Sequence, residues 1–112
     1  MNPQEGQIDV VFSALANPVR RKVLSILREE QAVPASDLAE AFDLARSSVS
    51  EHLGLLAKAG LVSVSKVGRQ RLYRLEPEPL LSAAEWLDAY RSFWHGGMSS
   101  LRDLLDAGEA DA

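Results

Sequence analysis

The sequence predicts a mainly α fold with one two-stranded β-hairpin, and three observations carry that prediction. Apolar residues recur at helical spacing in five stretches, from Ile8-Val11-Phe12-Leu15 near the start to Leu80-Ala83-Leu87 near the end. Between 61 and 75 the pattern changes to β-branched and aromatic residues interleaved with polar ones around Gly68-Arg69. Helix-starting and helix-ending residues, Asn17-Pro18, Pro34, Gly60 and Pro77 with Pro79, fall between the stretches.

Ile8, Val11, Phe12 and Leu15 predict a first helix over about 7–16. Asn17 before Pro18 reads as an N-cap with proline at the first helical position, where its missing N–H costs nothing. Val19, Val23, Ile26 and Leu27 give this second helix its buried stripe, and Pro34 ends the loop that follows. Ser36 is expected to cap a short third helix with Leu38, Ala39 and Phe42 inward and Asp37 at the positive end of the dipole.

A connection over 43–45 leads to a fourth helix with Val49, Leu53 and Leu56 inward and Gly60 at its end. Two helices joined this closely form a helix-turn-helix. Residues 61–67 and 70–75 form the hairpin, with Gly68 free to take the positive φ of its turn. A basic hairpin directly after a helix-turn-helix is a wing. The last helical region, with Leu80, Ala83, Ala84, Leu87, Tyr90, Phe93, Trp94 and Trp86, has an apolar face too broad to remain without a partner. Gly96-Gly97 is expected to kink or break it, with its end near Asp106. The domain reading is a single unit: a core over 7–75, a pairing helix over 76–106 and a frayed tail over 107–112.

At 112 residues the chain suits one domain, and a helical domain of this size gains from pairing with a second copy. The first seven residues lack the basic and apolar regions of a signal peptide, and no apolar run approaches membrane-spanning length, so a cytoplasmic location without membrane contact is expected. The absence of cysteine excludes disulfides and thiolate metal sites. The net charge of -4 hides a segregation. Between 44 and 75, Arg46, Lys58, Lys66, Arg69, Arg71 and Arg74 face Glu51 alone, a net of five positive charges; from Glu76 onward the balance is six negative. The middle of the chain thus presents a basic face suited to phosphate, and the remainder is acidic.

Over 12–75 the sequence resembles the ArsR/SmtB family of winged-helix repressors. The resemblance rests on Leu15-Ala16-Asn17-Pro18-Val19-Arg20-Arg21, Ser36-Asp37-Leu38-Ala39, Ser47-Ser48-Val49-Ser50-Glu51-His52-Leu53, Ala59-Gly60-Leu61-Val62, and Gly68-Arg69 with Tyr73-Arg74-Leu75, in that order and spacing. It implies that the fourth helix enters the major groove of double-stranded DNA, that the wing touches the backbone or minor groove, and that the first and last helices build a homodimer.

The helical wheel agrees, since Ser47, Ser50, Glu51 and Gly54 lie opposite the Val49, Leu53 and Leu56 stripe, with Arg46 at the N-terminal end. The DNA-binding candidates are therefore Arg46, Ser47, Ser48, Ser50 and Glu51 on the helix and Lys66, Arg69 and Arg71 on the wing. Arg46 suits bidentate pairing with guanine, the serines suit phosphate or base contacts, and Glu51 suits cytosine N4 although its charge opposes phosphate. The dimer candidates are Val11, Phe12, Leu15, Leu80, Leu87, Tyr90, Phe93 and Trp94.

Ala45 stands where the family has a serine N-cap, at a cost of about 1 kcal/mol unless another group compensates. His52 reads as a packing residue or structural hydrogen-bond partner ahead of a ligand or base, His95 as an exposed helix-end residue, and Arg20 and Arg21 as structural or outlying phosphate contacts. At the family's soft-metal positions the chain has Pro34, Ala35 and Ser36, and at its zinc positions Pro77, Pro79, Tyr90 and Phe93, so no metal or other cofactor is expected. Trp86, Tyr90, Phe93 and Trp94 read as dimer core ahead of a pocket for an unknown effector.

The function expected is a homodimeric repressor on an inverted-repeat operator, capable of autorepression. The alternative is a winged-helix module that binds protein instead of DNA. An enzyme is disfavoured, because the sequence has no glycine-rich phosphate loop after a strand and no carboxylate and histidine cluster.

Overall fold

The computed structural model describes residues 3–94, with side chains from residue 6 onward. Helix α1 spans Pro3–Leu15, starting ahead of the expected residue 7. Periodicity misses this polar first turn because the apolar stripe begins only at Ile8. Helix α2, Pro18–Glu29, starts as its sequence indicates: Asn17 is extended (φ -120, ψ 131), and its Oδ1 accepts from the N–H groups of Val19 at 2.8 Å and Arg20 at 3.2 Å. Two donors that the helix leaves unpaired are satisfied in this way.

The third helix departs from expectation. Helix α3 spans Ala35–Glu40 with Pro34 at the N-cap and no side-chain cap, while Ser36 lies exposed within the first turn. The cause is a short strand that the sequence reading did not include. Strand β1, Val33–Pro34, pairs antiparallel with β3, Gln70–Leu75, placing Val33 opposite Tyr73 and Pro34 opposite Leu72. This pairing sets where the chain turns into α3. A two-residue strand carries no periodicity, and a proline inside it argues against a strand except at a sheet edge, where this one lies.

Helix α4, Arg46–Lys58, also starts without a side-chain cap; the backbone carbonyl of Ala45 accepts from the N–H groups of Ser48 at 3.0 Å and Val49 at 3.1 Å. Its C-terminus closes in a Schellman motif, with Leu61 N–H donating to the Leu56 carbonyl and Gly60 N–H to the Ala57 carbonyl, each at 3.0 Å, and Gly60 at φ +77. Strand β2, Val62–Val67, then pairs antiparallel with β3 through a turn where Gly68 takes φ +63. The wing is thus part of a three-stranded sheet of order β1-β3-β2, not an isolated hairpin.

Helix α5 spans Leu80–Asp88, and the tighter bonds Ala89 N–H to Trp86 at 3.4 Å and Tyr90 N–H to Leu87 at 2.9 Å interrupt it before another helical turn at 91–94. The interruption therefore precedes Gly96-Gly97. Those glycines, His95, the rest of the 76–106 segment and the 107–112 tail lie outside the described residues.

Val23, Val33, Leu38, Val49, Leu53, Leu56 and Leu61 form the centre of one core beneath α2, α3, α4 and the sheet, with Leu15 and Leu80 packed partly against it. Val11 and Ala83 are buried outside this cluster, on the two helices α1 and α5 that pack together, and Phe12 meets Trp86 edge-on with ring centroids 5.8 Å apart.

Candidate nucleic-acid interface

The core fixes which face of α4 is free. With Val49, Leu53 and Leu56 committed to the interior, Arg46, Ser47, Ser50, Glu51 and Gly54 are exposed and Ser48 is half-buried. On the wing Lys66, Arg69 and Arg71 are exposed. Among the described residues the ion pairs are Arg28 with Glu29 and Arg91 with Asp88, so none of these four basic groups is neutralised by a described carboxylate.

Their positions are electrostatically unfavourable for the protein alone. Arg46 is the first residue of α4, where the positive end of the helix dipole disfavours a cation by about 0.3–1 kcal/mol. Lys66 stands directly opposite Arg71 in the β2–β3 register, and like charges in that relation destabilise a sheet. Two independent elements therefore place cations where the fold gains nothing electrostatically from them, and where an anion from outside would offset both effects.

The basic residues of α2 behave differently. Arg20 donates through Nε to the Ala14 carbonyl at 2.8 Å and through Nη2 to the Ser13 carbonyl at 3.0 Å, and its Nη1 lies 3.2 Å from His52 Nδ1. Arg21 Nη1 donates to the Leu15 carbonyl at 2.7 Å. Helix α1 has no basic residue in its last turn, and these two arginines satisfy its terminal carbonyls from the next helix. Lys22 Nζ donates to the Ala41 carbonyl at 3.2 Å and sits 5.0 Å from the centre of the Phe42 ring, which does the same for the end of α3. Of the two readings for Arg20 and Arg21, the structural one describes these contacts, and His52 has the structural hydrogen bond.

Pro34, Ala35 and Ser36 share a shallow cleft with Arg69, Gln70 and Arg71, so the start of α3 borders the base of the wing. Ser36 and Gln70 are polar neighbours of the basic wing that the sequence reading did not include, because the β1–β3 pairing that joins them is not visible in it. Among the described residues no three His, Cys, Asp or Glu side chains gather as a metal site would require. No described helix is long and apolar enough to cross a membrane.

The dimer candidates divide. Val11 has no exposed surface and belongs to the interior of its own chain, which corrects its placement on a pairing surface; Leu15 and Leu80 are likewise mostly spent on the core. Leu87, Tyr90, Phe93 and Trp94 are exposed, Phe93 by 74%, together with Trp86, which the sequence grouped with these aromatics, and Leu81, which it did not single out.

A helix-turn-helix domain family matches residues 15–65. The chain is 34% identical over 77 residues to the transcriptional repressor SdpR of Bacillus subtilis, a match covering 69% of this chain and 84% of SdpR. It is 30% identical over 99 residues to a helix-turn-helix-type transcriptional regulator of Mycobacterium tuberculosis, covering 88% and 89% of the two chains. In structure it is similar to an ArsR family transcriptional regulator, with a TM-score of 0.75 and 34% identity over 85% of this chain and 97% of the other. The α2-to-wing order, the exposed face of α4 and these likenesses agree: the chain belongs to the ArsR/SmtB family of winged helix-turn-helix, DNA-binding transcriptional regulators.

Proposed function

We propose that the protein is a homodimeric repressor that holds an inverted-repeat operator through α4 and the wing. The observation that carries this reading is the exposure of Arg46 at the start of α4 and of the Lys66–Arg71 pair on the wing, cations with no ion pair among the described residues. Arg46 enters the major groove and pairs with a guanine edge, Ser47, Ser48 and Ser50 contact phosphate or bases, and Glu51 accepts from cytosine N4. Lys66, Arg69 and Arg71 follow the phosphate backbone and set affinity more than specificity.

The exposed apolar side chains Leu87, Tyr90, Phe93 and Trp94, joined by Leu81 and Trp86, cover one another's counterparts across a twofold axis, and Phe12 supports Trp86 from beneath. Such a regulator works in the cytoplasm and needs no metal, since the family's metal positions hold proline, alanine, serine, tyrosine and phenylalanine. Footprinting on the DNA upstream of the chain's own coding sequence tests the reading: a protected inverted repeat supports it, and uniform protection at every salt concentration contradicts it.

A further inference from the structure

A concave cleft of about 340 Å³ lies where α1, α2 and α4 meet, and none of its described lining residues belongs to the wing or to the α5 aromatics. Its apolar wall comes from Val10, Ala14 and Leu55. Val10 and Leu55 are 47% and 44% exposed, and neither belongs to the core stripe of its helix; scattered singly they would need no explanation, but here they line one hollow. The volume falls at the small end of the range for metabolite sites.

The polar groups give the cleft a sign. Arg20 and Lys58 contribute two cations and Asp9 one carboxylate, a net positive charge of one. Arg20 spends three of the guanidinium's five N–H groups on Ala14, Ser13 and His52, which leaves two for a ligand. Lys58 has no hydrogen bond or ion pair among the described residues. Two cations beside an apolar wall select a carboxylate with an apolar tail, and Asp9 selects against a second negative charge.

We propose that this cleft binds a small monoanionic carboxylate bearing an apolar tail, which Lys58 and the free N–H groups of Arg20 hold, and that occupancy weakens operator binding. The same guanidinium that would meet the ligand holds the end of α1 and reaches His52 on α4. A carboxylate held by the free N–H groups draws the guanidinium toward itself, lengthens the Nη1 contact with His52 and so loosens α4 against α1. This second step rests on the DNA-binding reading of α4; the first does not.

Octanoate is the probe, added to the full chain while the methyl resonances of Val10, Ala14 and Leu55 are followed by NMR, with octanol and octylammonium as matched neutral and cationic controls. Saturable shifts at those three methyls with octanoate are expected, weaker by about two- to fivefold in Lys58→Gln and stronger by a similar factor in Asp9→Asn. Both substitutions are at the surface, and circular dichroism verifies that each variant is folded. Equal binding of octanol, tighter binding of octylammonium, weaker binding in Asp9→Asn, or shifts confined to the α5 aromatics would overturn the assignment. Anisotropy with operator DNA then reads the coupling: saturating octanoate is expected to lower operator affinity at least about fivefold, and operator to lower octanoate affinity by the same factor. Unchanged operator affinity in the presence of bound octanoate overturns the coupling. Shifted methyls in a chain that binds no DNA leave the ligand site standing and sink the DNA reading, whereas DNA binding with unmoved methyls sinks the ligand site alone.

Discussion

Arg20 on α2 holds its Nη1 3.2 Å from Nδ1 of His52 on α4. A guanidinium offers only donors, so in this hydrogen bond Nδ1 is the acceptor. Through this contact and the two carbonyl bonds to α1, one side chain ties together the end of α1, the start of α2 and the middle of α4. Arg20 thus couples the position of α4 to the end of α1.

Replacing Arg20 with methionine keeps the stem and removes all three polar contacts. The expected loss is about 2 kcal/mol of folding stability, because charge-assisted bonds contribute more than neutral ones and the α1 carbonyls lose their partner. Arg20→Lys is expected to recover little, since an ammonium has no planar fork to reach three acceptors on two elements. Urea denaturation of the three proteins measures this, and an Arg20→Met variant as stable as the parent would show that the contacts contribute nothing.

Two glycines of similar position in sequence should respond with opposite signs. A Cβ at Gly54, on the exposed face of α4, meets nothing within 4 Å, whereas Gly60 sits at φ +77. Gly54→Ala is therefore expected to raise stability by about 0.5–1 kcal/mol, and Gly60→Ala to lower it by about 1–2 kcal/mol. Chemical denaturation gives both values, and the reverse order would refute the Schellman closure of α4.

The α1–α5 surface predicts a contrast between two apolar residues. Phe93 is 74% exposed and Val11 has no exposed surface. Phe93→Glu should yield folded monomer, while Val11→Asp should unfold the chain by burying an unpaired carboxylate. Sedimentation with circular dichroism separates these outcomes, and a Phe93→Glu variant that remains dimeric would place the homodimer contact elsewhere.

The parts of the fold legible in sequence are those with their own local signal. Asn17-Pro18, Gly60 and Gly68 each encode a cap or turn through one residue's chemistry, and each takes that role. The exposed side of α4 was legible because Val49, Leu53 and Leu56 leave only one face for Ser47, Ser50 and Glu51. What was not legible depends on pairing across the chain. Strand β1 exists because Tyr73 and Leu72 lie beside Val33 and Pro34, and two residues cannot announce that. Val11 and Leu15 share one helical stripe, yet periodicity could not tell whether that stripe meets α5, the core or a second copy. The role of His52 likewise waited on Arg20, 32 residues away in sequence.

The central claim, that Arg46 reads bases while the wing holds phosphates, is tested most directly by fluorescence anisotropy on cognate and random DNA at several salt concentrations. Arg46→Ala is expected to cost about 1–3 kcal/mol on the operator and little on random DNA. Arg69→Ala and Arg71→Ala should weaken both DNAs alike and reduce the slope of log K against log salt by about one unit per lost contact. If all three variants bind the operator with the parent's affinity and salt dependence, the face built by α4 and the wing is not the DNA-binding surface.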